Sequence, residues 1–301
     1  MPDVLTLEGI IPAIATPFTE GGAAVDDDAL RRLVQFEIES KVGGMIPCGS
    51  TGEFMHMTHE ERKHVVEVVI DETAGRVPVI PHTAALTTKE AIELSKHAQD
   101  AGASAVMLIP PFYEPNIWPD LLGHYQAVSD AIEIPIMYYH MPHASGQHLT
   151  REQFEQLAEI ENVRFIKDSS GDVLLFDELV QYSSDKVIPV NGEDKLTLHA
   201  LAQGGRASVW GSATFFPGLA VELWDAVVTK QSLDLANDVW RRIWPIMTVI
   251  GETSYQAAVK AGCELVGVPV GDPRLPINRA PKEFYDKLAD VLRESGVTFA
   301  G

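Results

Sequence analysis

Short apolar segments alternate with helical patterns along residues 10–210 of this 301-residue chain. A helix between consecutive strands returns the chain to the same end of a sheet, so alternation is typical of parallel strands. We predict an α/β fold, a (β/α)8 TIM barrel, although a doubly wound sheet fits the alternation almost as well. The eight strand candidates are Ile10–Pro17, Gly44–Cys48, Val77–His82, Ala105–Ile109, Ile134–Tyr139, Val163–Lys167, Val187–Val190 and Ala207–Trp210.

The strand pattern stops after Pro217. Leu233–Ile250 and Tyr255–Val266 have the periodicity of amphipathic helices, and a proline-rich segment precedes a last helix. We therefore predict a barrel catalytic domain over residues 1–216 and a C-terminal helical domain over residues 217–301. Two helix starts, Thr58–Glu61 and Thr150–Gln153, match the capping box, a threonine followed three residues later by Glu or Gln.

Composition limits the partners. Hydrophobic residues make up 46% and charged residues 22%, as in ordinary soluble globular proteins, and the formal net charge of −20 argues against nucleic acid or an anionic membrane. Cys48 and Cys263 have no metal-ligand or redox spacing. The chain shows no signal-peptide pattern and no apolar run of membrane-spanning length, so we expect a cytoplasmic protein.

The apolar segment Val163–Lys167 ends in a lysine, and the presence of a cation at this position requires an explanation. By strand alternation Lys167 lies on the same face as Val163 and Phe165, among large apolar groups. Parallel α/β folds keep their chemistry at the carboxyl ends of the strands. The alternative is a lysine whose stem is buried and whose ammonium reaches solvent.

A lysine in an apolar interior can form a Schiff base, because such surroundings disfavour the charged ammonium form. The iminium of a 2-oxo acid then accepts electrons, and tyrosine hydroxyls linked to a serine can move the protons. Tyr138 and Tyr139 lie at another strand end, and alternation leaves open which of them faces the barrel axis.

Other strand ends carry weaker signals. Ser50 and Thr51 stand between two glycines and can offer hydrogen-bond donors to a carboxylate, although a plain turn would look the same. His82 and His140 keep a metal-dependent barrel lyase open as an alternative, but no His-x-His pair or aligned carboxylate accompanies them. We expect no metal and no other cofactor.

Taken together, these residues resemble the N-acetylneuraminate lyase and dihydrodipicolinate synthase family of class I, Schiff-base aldolases over roughly residues 8–215. The family implies a (β/α)8 barrel with a C-terminal helical domain, usually a homotetramer, acting on pyruvate or a close 2-oxo acid together with an aldehyde. The matching elements are Gly49-Ser50-Thr51-Gly52-Glu53, Pro111-Phe112-Tyr113, Tyr139-x-x-Pro142 with Ser145-Gly146, and Lys167.

The resemblance assigns roles to these positions. It implies that Lys167 forms the Schiff base and that Tyr139, not its neighbour, transfers protons. Ser50 would link Tyr139 to Tyr113, which in the family reaches in from a neighbouring subunit. Ser50 and Thr51 would hold the pyruvate carboxylate.

The branch of the family is a separate question. Dihydrodipicolinate synthases have an arginine where this chain has Ala144, which counts against that activity. Asp194 and Ser212 resemble the sugar-hydroxyl contacts of the lyase branch, whereas Lys195 replaces the glutamate of sialic-acid lyases. A cation there suits a distal carboxylate, so we hypothesise a non-sialic sugar acid or a dicarboxylic 2-oxo acid. Dihydrodipicolinate synthase activity and a non-catalytic 2-oxo acid sensor are the alternatives.

Overall fold

A parallel sheet forms the centre of the molecule. The computed structural model describes residues 5–299. Its sheet has the strand order β1-β6-β5-β4-β3-β2, with every pair of neighbours parallel. Apart from the β1–β6 contact, sequence neighbours lie side by side, as in a barrel wall. The strands are β1 Gly9–Pro12, β2 Val106–Leu108, β3 Ile136–His140, β4 Val163–Asp168, β5 Ile188–Asn191 and β6 Ala207–Trp210.

Two of the eight predicted strands are not regular strands. Gly44–Cys48 and Val77–His82 connect β1 to β2 through three isolated parallel bridges, Ala13–Ile46, Met45–Val79 and His82–Met107. The prolines in these segments explain the short pairing, since their carbonyls accept hydrogen bonds but they have no N–H to donate. The bridges join the two outer strands of the sheet, which gives an α/β fold of the TIM-barrel type.

Helices alternate with the strands up to β6 and follow one another after it. Both predicted capping boxes are present, at Thr58 and Thr150. No helix within residues 5–299 is both long enough and apolar enough to cross a bilayer. The helices are α1 Asp27–Glu39, α2 His59–Thr73, α3 Thr88–Ala101, α4 Trp118–Ser129, α5 Pro142–Ser145, α6 Arg151–Leu157, α7 Val173–Tyr182, α8 Thr197–Ala202, α9 Pro217–Trp224, α10 Leu233–Val249, α11 Tyr255–Leu265 and α12 Lys282–Glu294.

The helices after β6 cover one end of the sheet's carboxyl edge. α9 contacts β1, while α10 and α11 both contact α12. α11 also contacts the 3-10 turn Ser212–Phe215, which directly follows β6. The chain after residue 217 therefore touches the edge of the sheet where the candidate site lies.

Candidate active site

The ammonium of Lys167 lies over the ring of Tyr139. The two residues are neighbours in the β3–β4 register, and Nζ is 3.8 Å from the ring centroid. Lys167 is 6% exposed and Tyr139 4% exposed. Tyr138 points to the other face of the sheet, where its ring packs against Tyr125 at 5.0 Å. The tertiary structure thus places Tyr139, and not Tyr138, beside the lysine.

A cavity of about 360 Å³ opens beside this pair. Four more of the predicted site residues line it: Ser50, Thr51, Asp194 and Lys195. They come from loops after different strands, so the converging carboxyl edges of a parallel barrel bring them together.

Gly192 makes room for the lysine. It follows β5, and a Cβ atom at this position would lie 2.7 Å from Cγ of Lys167 and still closer to the Ser169 hydroxyl oxygen. Any side chain here would therefore push the lysine stem aside. The backbone after β5 forms one wall of the lysine's channel.

The turn that carries Ser50 and Thr51 is held from several directions. The Thr16 hydroxyl donates to the carbonyl of Gly52 at 2.7 Å, and the amide of Gln256 donates to the carbonyl of Ser50 at 3.1 Å. A Cβ at Gly211 would lie 2.5 Å from the Thr51 hydroxyl oxygen, so the β6 loop also packs closely against the turn. These contacts fix two hydroxyl-bearing residues at the cavity wall, where they can donate to a carboxylate.

Asp194 forms a second polar group in the cavity. The hydroxyls of Ser212, at 2.6 Å, and Tyr255 both donate to its Oδ2 atom. Burial raises the pKa of Asp194 from 3.8 to about 6, although both hydrogen bonds act in the opposite direction. Burial therefore favours the protonated form of Asp194 more than water does. Ser212 does not line the cavity itself and is connected to it through its hydrogen bond to Asp194.

Several cavity residues have no signal in the sequence. Five of them lie in the segments after β6, one lies in the short helix α5, and one directly follows β4. Only packing of α10 and α11 over the barrel edge brings most of them to the site. They are His143, Ser169, Met247, Ile250, Gly251, Tyr255 and Gln256.

Tyr113 lies outside the cavity. It follows β2 and is 85% exposed. Within residues 5–299, the hydroxyl of Tyr139 forms no hydrogen bond with Ser50 or Tyr113. A relay through these three hydroxyls is thus not assembled within one chain.

The two strand-end histidines lie in different surroundings. His82 packs against Phe54 at 4.5 Å and Tyr139 at 6.3 Å, and its burial lowers its pKa well below the ordinary value. His140 Nδ1 lies 2.9 Å from Asp168 Oδ1. No group of three or more His, Cys, Asp or Glu side chains within residues 5–299 is arranged to hold a metal ion.

Comparison with known proteins decides the family. The model of the Dihydrodipicolinate synthetase family matches residues 6–295. The chain belongs to this family. Its members are class I, Schiff-base lyases, and the chain is an enzyme of this type.

Relatives of similar length cover almost the whole chain. The 4-hydroxy-tetrahydrodipicolinate synthase of Methanothrix thermoacetophila is 36% identical over 285 residues, 94% of this chain and 95% of the relative. The enzyme of that name from Methanopyrus kandleri is 33% identical over 292 residues, 97% of each chain.

Solved structures agree with the fold. The chloride-inhibited dihydrodipicolinate synthase of Acinetobacter baumannii, complexed with pyruvate, superposes with a TM-score of 0.91 at 30% identity, covering 97% of this chain and 100% of that chain. A prophage protein of the dihydrodipicolinic acid synthase family from E. coli K12, also in complex with pyruvate, gives 0.91 at 27% identity, with coverage of 97% and 100%.

Proposed function

We propose that Lys167 forms an iminium with the keto carbon of pyruvate or a closely related 2-oxo acid. The observation that carries this proposal is the buried Lys167 amine, 3.8 Å from the Tyr139 ring centroid, at a cavity also lined by Ser50 and Thr51. Pyruvate bound to family members of known structure supports the choice of ligand. Ser50 and Thr51 hold the carboxylate and Tyr139 carries protons.

The proposed reaction requires the lysine amine, the substrate, water and hydroxyl groups that carry protons. The neutral amine adds to the keto carbon, and loss of water gives the iminium. Cleavage of the C3–C4 bond, with loss of the proton of the C4 hydroxyl, sends the electron pair of that bond into the iminium, which leaves an enamine and releases an aldehyde. In a dehydration the electron pair of a C3–H bond enters the iminium instead, and the resulting enamine expels the C4 hydroxyl, which leaves with a proton as water. Protonation of the enamine and hydrolysis return the lysine and the 2-oxo acid, and each step moves a proton that a positioned hydroxyl can carry.

We propose a homotetramer in which Tyr113 enters the site of a neighbouring subunit. Its 85% exposure and its absence from the cavity lining of its own chain support this arrangement. Ser50 would then connect Tyr139 with the neighbour's tyrosine, completing the relay.

We also propose the division into a barrel domain, residues 1–216, and a C-terminal helical domain, residues 217–301. The contacts of α10 and α11 with α12 support it, whereas the contact of α9 with β1 ties the first of these helices to the barrel. We further propose a cytoplasmic location, which the family's usual setting supports.

The second substrate distinguishes two activities. Ala144, in place of the arginine of dihydrodipicolinate synthases, and the Asp194–Ser212 pair favour cleavage of a sugar acid or dicarboxylic 2-oxo acid, as in the lyase branch. The names of the relatives favour 4-hydroxy-tetrahydrodipicolinate synthase activity instead. Turnover of N-acetylneuraminate at ordinary aldolase efficiency would exclude the non-sialic substrate proposed from Lys195.

The decisive experiment is mass spectrometry of the intact chain after incubation with pyruvate and borohydride. We expect one reduced pyruvyl adduct on the parent chain, none on Lys167→Ala, and adduct formation slowed by about 100-fold or more in Tyr139→Phe, which keeps the ring but loses the hydroxyl. A panel of aspartate semialdehyde, sugar acids and dicarboxylic 2-oxo acids then separates the two activities. A parent chain without an adduct would favour the sensor alternative.

A further inference from the structure

A second pair of side chains connects the two strands that carry Tyr139 and Lys167. His140 lies opposite Asp168 in the β3–β4 register, one residue beyond the Tyr139–Lys167 pair. Nδ1 of His140 is 2.9 Å from Oδ1 of Asp168, and the residues are 1% and 4% exposed. Because side chains alternate along a strand, this pair lies on the opposite face from the cavity.

The surroundings of His140 define the hydrogen bond. Its Nε2 atom is buried without a partner within residues 5–299, and its ring packs against Phe154 at 5.0 Å. A hydrogen on Nε2 would be an unsatisfied buried donor, so the ring carries its hydrogen on Nδ1 and donates it to Asp168. The backbone N–H of Ser170 donates to the same carboxylate oxygen at 3.0 Å.

Asp168 also connects the neighbouring strand ends. Its carbonyl accepts the N–H of Gly192, after β5, at 2.7 Å, while the carbonyl of His140 accepts the N–H of Ser169 at 2.8 Å. Gly192 is the residue that packs against the Lys167 stem. Asp168 thus connects the carboxyl ends of β3, β4 and β5 around Lys167.

The His140–Asp168 pair closes the carboxyl end of the β3–β4 ladder. The register shifts between Ile136 and Met137, at the start of β3, and runs without a break from Met137–Phe165 to His140–Asp168. A slip or tilt at the carboxyl ends would separate the Lys167 amine from the Tyr139 ring.

We propose that His140 and Asp168 are positioning residues that hold Lys167 and Tyr139 together for Schiff-base chemistry. The inference rests on the proposed function of Lys167. A positioning role for this pair differs from a purely structural role in its effect on the reaction rate. Loss of a structural hydrogen bond lowers stability alone, whereas loss of a positioning contact slows the chemistry of every folded molecule.

The test is the single-turnover rate of the borohydride-trapped pyruvate adduct at saturating pyruvate, measured per folded molecule. For His140→Leu we expect a rate about 10- to 100-fold lower, with the pyruvate concentration at half-saturation within about threefold of the parent. His140→Asn, whose side-chain N–H can reach Asp168, should recover most of the rate. His140→Phe, which keeps a ring against Phe154, replaces the leucine variant should that one not fold.

Tyr125→Phe is the matched control. Its hydroxyl donates to the carbonyl of Leu108 at 2.8 Å, a buried hydrogen bond to the neighbouring strand away from the cavity. We expect this variant to lose stability but keep the parent rate. A parent rate in His140→Leu, or a rate in His140→Asn as low as in the leucine variant, would overturn the positioning role. A parent chain that forms no adduct would overturn the proposed function, and this inference with it.

Discussion

Lys260 forms a buried ion pair with Glu53. Nζ lies 2.9 Å from Oε1, and the two side chains are 2% and 0% exposed. Glu53 ends the turn that holds Ser50 and Thr51, and its backbone is left-handed at φ 58°. Lys260 belongs to α11, whose first residues line the cavity. The pair therefore fastens the helices after β6 to the turn at the candidate carboxylate site.

We predict that Lys260→Met destabilises the fold by about 3–5 kcal/mol, because it leaves a buried carboxylate without its cation. The two side chains are buried, and this burial lowers the pKa of Lys260 against the opposing effect of Glu53. Urea unfolding measures the change. The double variant Glu53→Gln/Lys260→Met should recover part of the loss. Lys63→Met, which removes the pairs of a partly exposed lysine with the exposed Glu60 and Glu93, is the control and should cost much less.

We predict that Gly192→Ala abolishes rapid formation of the pyruvate adduct. The new Cβ would lie 2.7 Å from Lys167 Cγ, so the stem must move. The control is Gly123→Ala in α4, where a Cβ meets no atom within 4 Å and where alanine favours the helix by up to about 1 kcal/mol. Trapping rates on both variants compare the two sites. Parent-like trapping in Gly192→Ala would contradict the close fit of the lysine channel.

Asp194 should make stability depend on pH between about pH 4 and pH 6. Its pKa is about 6 in the folded chain against 3.8 as the ordinary value, so the folded state binds the proton more tightly. The stabilisation is complete below the lower value and is lost as the pH rises through the higher one. Over this range the free energy of unfolding falls by at most about 3 kcal/mol.

The variant Asp194→Asn keeps an oxygen for Ser212 and Tyr255 but does not titrate. Unfolding by urea at several pH values should therefore show a flatter profile for Asp194→Asn than for the parent. Asp100→Asn, an exposed change on α3, should keep the parent slope. An identical slope for Asp194→Asn and the parent would rule out this titration as a source of the pH dependence.

Lys195 should select substrates with a distal carboxylate. It lines the cavity, is exposed, and forms no ion pair or hydrogen bond within the described chain, although Glu193 and Asp194 lie beside it. We predict that Lys195→Met lowers kcat/KM for a dicarboxylic 2-oxo acid by about 10-fold, the value of one charge-assisted hydrogen bond. For a substrate with an uncharged distal end the change should stay within about twofold, as the lost contact is absent there. Steady-state kinetics on both substrates, with Lys96→Met as the control, tests this. Equal losses on both substrates would argue against selection by charge.

Local patterns in the sequence predicted much of the architecture. The alternation of apolar and amphipathic segments predicted a parallel α/β fold, and each capping box lies within four residues, so both helix starts were predictable. Lys167 stood out because burial of a cation at the end of an apolar segment costs free energy, which indicates that the residue has a function.

Tertiary packing decided what local patterns cannot. Two adjacent tyrosines point to opposite faces, and only the register of β3 against β4 places Tyr139 beside Lys167. Tyr255 comes to Asp194 across 61 positions of chain, and Lys260 to Glu53 across more. The sequence alone determined most of the elements and singled out Lys167 as the candidate nucleophile, because these depend on neighbouring residues. The cavity and its supporting ion pair depend on distant segments meeting in space, which no sequence period records.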